Sequence, residues 1–223
     1  MKTKLSEIFK EGETYDISTK FKELPVKTKL RLSWIDDASN LLGFSWRKCI
    51  FKGAFQPQTG VYITVGDKYA YGKVVSNGEE LVIEFEEFRE KPAFIERRTV
   101  RVETDPSNPV IVELNVNSYR LKAPAKDISE TGVGIILERN THKADEVIEI
   151  LRSNPSAWFN LYIHLPKYGT AHAKGRVRNF NVSEEGIYIR IGFEAEYSPN
   201  DKEKVRKYVF ERQQEIIKSL KML

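Results

Sequence analysis

The sequence predicts an all-β protein: two small antiparallel β-barrel domains in tandem, followed by one C-terminal helix. Three observations carry this. Lys27-Thr28-Lys29-Leu30-Arg31-Leu32-Ser33-Trp34-Ile35 alternates polar and apolar residues with a period of two, the pattern of a half-buried strand. Short runs of the same kind recur along most of the chain, and Asn77-Gly78 between two of them is a hairpin turn signal. Phe88 to Glu96 reads as a linker. Its Pro92 denies a ladder one donor and disfavours helix at the residue before it, so residues 1–90 separate from residues 91–223.

In order, Leu5 to Lys10 can form a short amphipathic helix that needs docking to persist. Asp36-Asp37-Ala38-Ser39-Asn40 is a polar turn after the first alternating strand. Strands are then expected at Phe44 to Phe51, Val61 to Val65, Tyr69 to Val75 and Leu81 to Phe88. After the linker come Val110 to Val116, Tyr119 to Leu121 and Gly132 to Leu137. Ala144 to Leu151 has helical spacing and stops at Asn154-Pro155, and strands resume at Trp158 to Leu165, Thr170 to Asn179 and Gly186 to Ala195.

The last segment is the clearest helix. Ser198 is its N-cap, Pro199 fits the first turn, and Asp201 and Glu203 suit the positive end of the dipole. Val205, Tyr208, Val209, Ile216, Leu220 and Leu223 form a stripe for its own domain or for a partner. A weak echo between Val61…Phe85 and Leu161…Ile189 fits two related barrels, and generic β patterning equally.

Composition bounds the function. The 223 residues carry 36 Lys and Arg against 32 Asp and Glu, a net charge of +4. That is too mild to imply a nucleic-acid stripe and is compatible with a small anion. The single Cys49 excludes an internal disulfide and a cysteine metal cluster, and within Trp46 to Phe51 it reads as a buried strand thiol. His142, His164 and His172 lack partners at metal-ligand spacing. No phosphate loop or nucleophile elbow appears, Glu84, Glu86 and Glu87 read as a solvated strand edge, and Trp34, Trp46 and Trp158 read as core aromatics. Without an apolar leader or a membrane-length apolar run, the expected compartment is cytoplasmic.

The chemistry concentrates in two short stretches, Arg97-Arg98-Thr99-Val100-Arg101 and Asp127-Ile128-Ser129-Glu130-Thr131-Gly132. Guanidinium forks match phosphate oxygens and the O6/N7 edge of guanine. An ionised aspartate accepts from the N–H groups on the opposite edge of that base. The set suits a small, flat, anionic ligand. Either half also has an ordinary reading: Arg97 and Arg101 pairing with acids such as Glu103, and Asp127-Ile128-Ser129 as an Asx-type turn.

Glu96-Arg97-Arg98-Thr99-Val100-Arg101-Val102 followed by Asp127-Ile128-Ser129-Glu130-Thr131-Gly132-Val133-Gly134 resembles the PilZ domain, a bacterial receptor module for cyclic di-GMP. The likeness continues through Gly175-Arg176-Val177, Ile191-Gly192-Phe193 and the closing helix with Tyr208 and Gln213-Gln214, covering about Phe94 to Leu223. The preceding β domain is similar in placement to that of flagellar-brake-type members. The resemblance implies a six-stranded antiparallel barrel with a C-terminal helix, and a receptor without catalysis or cofactor. It gives Arg97 and Arg101 to a guanine edge and phosphates, Asp127 and Ser129 to the base, Gly132 to the turn, and weaker roles to Arg98 and Arg178. Members with an arginine just before the first motif arginine favour a ligand dimer; Glu96 stands there, which points to one dinucleotide. The segment Thr141 to Pro155 is longer than in the shortest members.

The expected function is therefore a cyclic di-GMP receptor that changes the arrangement of its two domains and signals to a protein partner in motility, adhesion or polysaccharide control, with no DNA contact. Two alternatives stand beside it. One is a PilZ-like adaptor that binds no nucleotide. The other is a barrel binding single-stranded nucleic acid through Arg176, Arg178 and aromatics.

Overall fold

A computed structural model describes residues 4–46, 49, 51–139 and 142–222. The chain forms two compact units: Met1–Arg98 with Ile216–Leu223, and Thr99–Glu215. Each contains a closed antiparallel barrel, as the sequence predicts.

In the first unit a one-turn helix, α1 (Leu5–Ile8), precedes six strands: β1 (Thr14–Phe21), β2 (Leu24–Asp36), β3 (Leu41–Ser45), β4 (Gly60–Val65), β5 (Lys68–Ser76) and β6 (Glu80–Arg89). They close in the order β1-β2-β3-β6-β5-β4. Alternation along β2 sends Leu30 and Leu32 inward, where they meet Ile17, Phe44, Val74 and Ile83 with essentially no exposure. Phe9 and Phe55 fill the same core, and Leu220 of the chain's end joins it.

The strand expected at Phe44 to Phe51 instead ends at Ser45. A 3₁₀ turn at Lys52–Ala54 then carries Phe55 inside. Cys49 is half-buried outside any strand, and Arg47, Lys48 and Ile50 lie outside the described residues. Asn77-Gly78 does join β5 to β6, but Gly78 is not at positive φ; its carbonyl accepts from Lys52 Nζ at 2.5 Å.

The β1–β2 hairpin turns on only two residues, Lys22 (φ 47°) and Glu23 (φ 69°). Both central residues are left-handed, as a type I′ turn requires, yet neither is glycine or asparagine. A short helix, α2 (Ala93–Glu96), follows β6 in this unit. Pro92 before it is buried, and Phe94 meets the Tyr62 ring edge-on at 5.8 Å.

The second unit has β7 (Arg101–Glu103), β8 (Ile111–Val116), β9 (Tyr119–Ser129), β10 (Gly132–Glu138), α3 (His142–Ser153), β11 (Phe159–Leu165), β12 (Gly169–Val182) and β13 (Tyr188–Tyr197). The order is β10-β13-β12-β11-β8-β9, closed by β9 pairing with β10, and β7 adds to β9. Val112, Leu114, Ile128, Ile135, Ile163 and Ile191 are buried. From α3, Val147 and Leu151 are buried as its spacing predicts.

The last helix, α4 (Pro199–Leu220), starts at a cap: Ser198 Oγ accepts the Asp201 N–H at 3.2 Å and donates to its carboxylate at 2.9 Å. Val205, Tyr208, Val209, Ile216 and Leu220 are buried along it; Leu223 lies outside the described residues.

Trp158 is not a core residue. It is exposed, with the Arg176 guanidinium 5.0 Å above its ring. Trp34 is half-buried over Gly43, and its Nε1 donates to Glu80 at 2.6 Å. Among the described residues no helix is long and apolar enough to cross a membrane, and no histidine, cysteine or acidic cluster could hold a metal.

Candidate functional site

β9 and β10 meet at the two-residue turn Glu130-Thr131, and β7 lies along the other edge of β9. Pairing sets Asp127 opposite Gly134 and Ala125 opposite Ile135, so Lys126 is an extra residue on β9. This β-bulge shifts the alternation: Ala125 and Ile128 are both in the core although three apart. Asp127 and Ser129, flanking Ile128, take the opposite face. They are 1% and 2% exposed, very low for polar side chains on an outer strand face.

Asp127 is enclosed by two arginines. Arg101 Nε from β7 lies 3.4 Å from Oδ1, and Arg190 Nη2 from β13 lies 2.5 Å from Oδ2. A buried carboxylate needs such partners, since an unpaired buried charge is costly. The register shows how Arg190 arrives: Gly134 on β10 sits between Asp127 on β9 and Gly192 on β13. A Cβ at residue 134 would stand 2.7 Å from Asp127 Oδ2. Gly134 therefore leaves the room over β10 in which Asp127 and Arg190 meet, while the Asn179 side chain covers Gly192.

The hydroxyl of Ser129 donates to the Gly132 carbonyl at 3.3 Å and accepts the Thr131 N–H at 3.4 Å, which fixes the turn. Thr99 and Thr131 hydroxyls share a bond of 3.0 Å. Gly132 is needed for another reason than positive φ, which it does not adopt. A Cβ there would stand 2.6 Å from the Phe193 carbonyl oxygen of β13, so only glycine allows β10 this close.

The structure thus gathers Arg101, Asp127, Ser129 and Gly132 on β7, β9 and β10, and adds Arg190, which sequence reasoning missed. Arg178 is elsewhere engaged: its Nη2 pairs with Glu194 at 2.7 Å, as does Arg176. The Arg176 guanidinium, helped by Arg178 against a desolvation cost, holds the Glu194 carboxyl below its usual range.

Within the first unit, Arg97 Nη1 lies 3.0 Å from Glu23 Oε2. The other oxygen of Glu23 pairs with Lys20 Nζ at 2.7 Å. Burial alone would push the Glu23 carboxyl up; these two cations outweigh it and leave its pKa lowered. Arg98 is exposed and has no partner among the described residues. Glu96 pairs with Lys91 at 3.4 Å.

A six-stranded antiparallel barrel with an arginine–aspartate cluster on its strand face defines a small β module. The PilZ domain model matches residues 95–211, more than half of the chain, and the chain belongs to the PilZ domain family. A protein of Aquifex aeolicus (strain VF5), named only as uncharacterized, is 68% identical over 223 residues, all of this chain and 97% of that one. A second from the same organism is 33% identical over 145 residues, 64% of this chain and 67% of that one. The solved K. pneumonia MrkH complex with c-di-GMP is similar at a TM-score of 0.51 and 12% identity, covering 92% of this chain and 90% of that one. At that identity the likeness is one of fold.

Proposed function

We propose that the chain is a cyclic di-GMP receptor, a binding protein rather than an enzyme. The observation that carries this reading is the buried Asp127 carboxylate on the strand face, held between Arg101 and Arg190 over Gly134. A guanine lying there donates its N1–H and N2–H to Asp127, and the released guanidinium groups take phosphate oxygens and the O6/N7 edge. Arg97 and Arg98 supply further forks, and Ser129 holds the base edge. Glu96 before them adds negative charge, which fits one dinucleotide. Fixing the segment that carries the arginines costs about 1–2 kcal/mol per residue, which charge-assisted bonds to phosphate offset. The ordered segment re-aims one unit against the other, and a protein partner reads the change.

Calorimetric titration with cyclic di-GMP tests the binding. Saturable heat that disappears in both Arg101→Ala and Asp127→Ala supports the receptor. Small-angle scattering unchanged at saturation would remove the rearrangement. One observation favours a second reading, an adaptor without nucleotide: Arg97, Arg101 and Asp127 already satisfy one another's kind through internal pairs. A stable fold with no heat of binding would leave that alternative standing.

A further inference from the structure

Three features of the first unit converge on Arg97. Its guanidinium faces a carboxylate, Glu23, that is only 6% exposed. Glu23 sits in a two-residue turn whose residues both hold positive φ without being glycine, a conformation strained for side chains of this kind. Such strain persists only where surroundings enforce it. Here the turn aims one carboxylate oxygen at Lys20 and the other at Arg97. The stretch leading to Arg97 is moored to the same barrel by the buried Pro92 and by Phe94 on Tyr62. Arg97 is therefore parked by residues of this unit, 74 positions from Glu23 in sequence.

We propose that Glu23 is a positioning residue of the ligand site: it holds Arg97 on the first barrel and thereby sets the cyclic di-GMP concentration that engages the arginine. This rests on the receptor reading above. The ligand phosphates must outcompete Glu23, whose carboxylate accepts from Arg97 Nη1 at 3.0 Å and whose backbone carbonyl accepts at 3.5 Å, for one guanidinium. Apparent affinity is then the intrinsic affinity reduced by the fraction of molecules in which Arg97 is released.

The test uses the full chain with Glu23→Gln, which keeps the size and removes the charge, and Glu23→Asp, which keeps the charge. Without ligand, trypsin cleavage at the Arg97–Arg98 bond, followed by mass spectrometry, reads how often Arg97 is free. Glu23→Gln is expected to be cut about fivefold faster than wild type, the effect of a pair worth about 1 kcal/mol, and Glu23→Asp to recover part of the protection. With ligand, the Kd of Glu23→Gln should fall by about the same fivefold factor. Equal cleavage of wild type and Glu23→Gln, at equal melting temperature, overturns the parking of Arg97 whatever the ligand does. Faster cleavage with an unchanged Kd overturns its control of affinity. A wild type that binds no cyclic di-GMP overturns the receptor reading itself, and the cleavage experiment still decides whether Glu23 holds the arginine.

Discussion

Arg190 Nη2 reaches Asp127 Oδ2 at 2.5 Å, a bond from β13 to β9 that passes over the intervening β10. The bond runs diagonally, since Arg190 is paired with Ile136 and Asp127 with Gly134, and the missing side chain of Gly134 leaves room for the carboxylate. Removing Arg190 leaves a buried carboxylate with Arg101 alone from this pair. Arg190→Ala is therefore expected to destabilise the second barrel by about 1–3 kcal/mol in urea unfolding and to weaken cyclic di-GMP binding. Arg190→Lys, which keeps charge but not the fork, should recover stability more than affinity.

Gly134→Ala tests that room. Its Cβ would stand 2.7 Å from Asp127 Oδ2, so the carboxylate must turn away from its present place. The expected stability loss is about 1–3 kcal/mol, with the fold kept and cyclic di-GMP affinity reduced at least about tenfold. Unchanged affinity would show that the carboxylate's present position is not the one the ligand uses.

Gly132→Ala should act on stability first. The obstacle there is the Phe193 carbonyl oxygen at 2.6 Å, part of the β13 backbone, which cannot rotate aside as a side chain can. The β10–β13 ladder must open locally, and thermal unfolding should show a larger loss than for Gly134→Ala.

Ser198→Ala removes both bonds of the α4 cap and should cost about 1 kcal/mol, measured by denaturant unfolding. No change in ligand affinity is expected, since Ser198 is not among the motif residues.

The Glu23 pair carries a pH signature. Its folded pKa lies below the ordinary 4.5, so the folded protein binds this proton more weakly than the unfolded chain. The stabilisation is complete above about pH 4.5 and drains away as pH falls through the lower folded value. The stability difference between wild type and Glu23→Gln should thus stay level from about pH 9 to 5 and shrink below that. A difference that grew on acidification would contradict the pairing.

Individual strands were readable where alternation is local. Lys27 to Ile35 announces β2 because one face alone is buried. β1 escaped because Ile17, Ser18 and Thr19 are buried in succession, so the stretch shows no period of two. The run after Phe44 looked like continued strand because its apolar residues fill the barrel end through a 3₁₀ turn instead. Trp158 misled by composition: an aromatic ring stacked under a guanidinium is satisfied at the surface.

The candidate site divides the same way. The motif residues are close in sequence and were named from it. Arg190 and Glu23 were not, because each reaches its partner only through folding: Arg190 stands 63 residues beyond Asp127, and Glu23 stands 74 before Arg97. A charged residue on a strand gives no local sign of which distant charge the register will bring to it.

The division of the chain between Arg98 and Thr99 has a practical meaning for dissection. A gene fragment cut at that natural seam would express a barrel with Arg101, Asp127 and Arg190 but without Arg97 and Arg98. Trimmed at Glu215, it would also lose the final turns of α4. Whoever cuts there instead of at residue 95, where the family match begins, would remove both arginines proposed for the grip, and a weak signal from such a fragment would describe the cut rather than the protein.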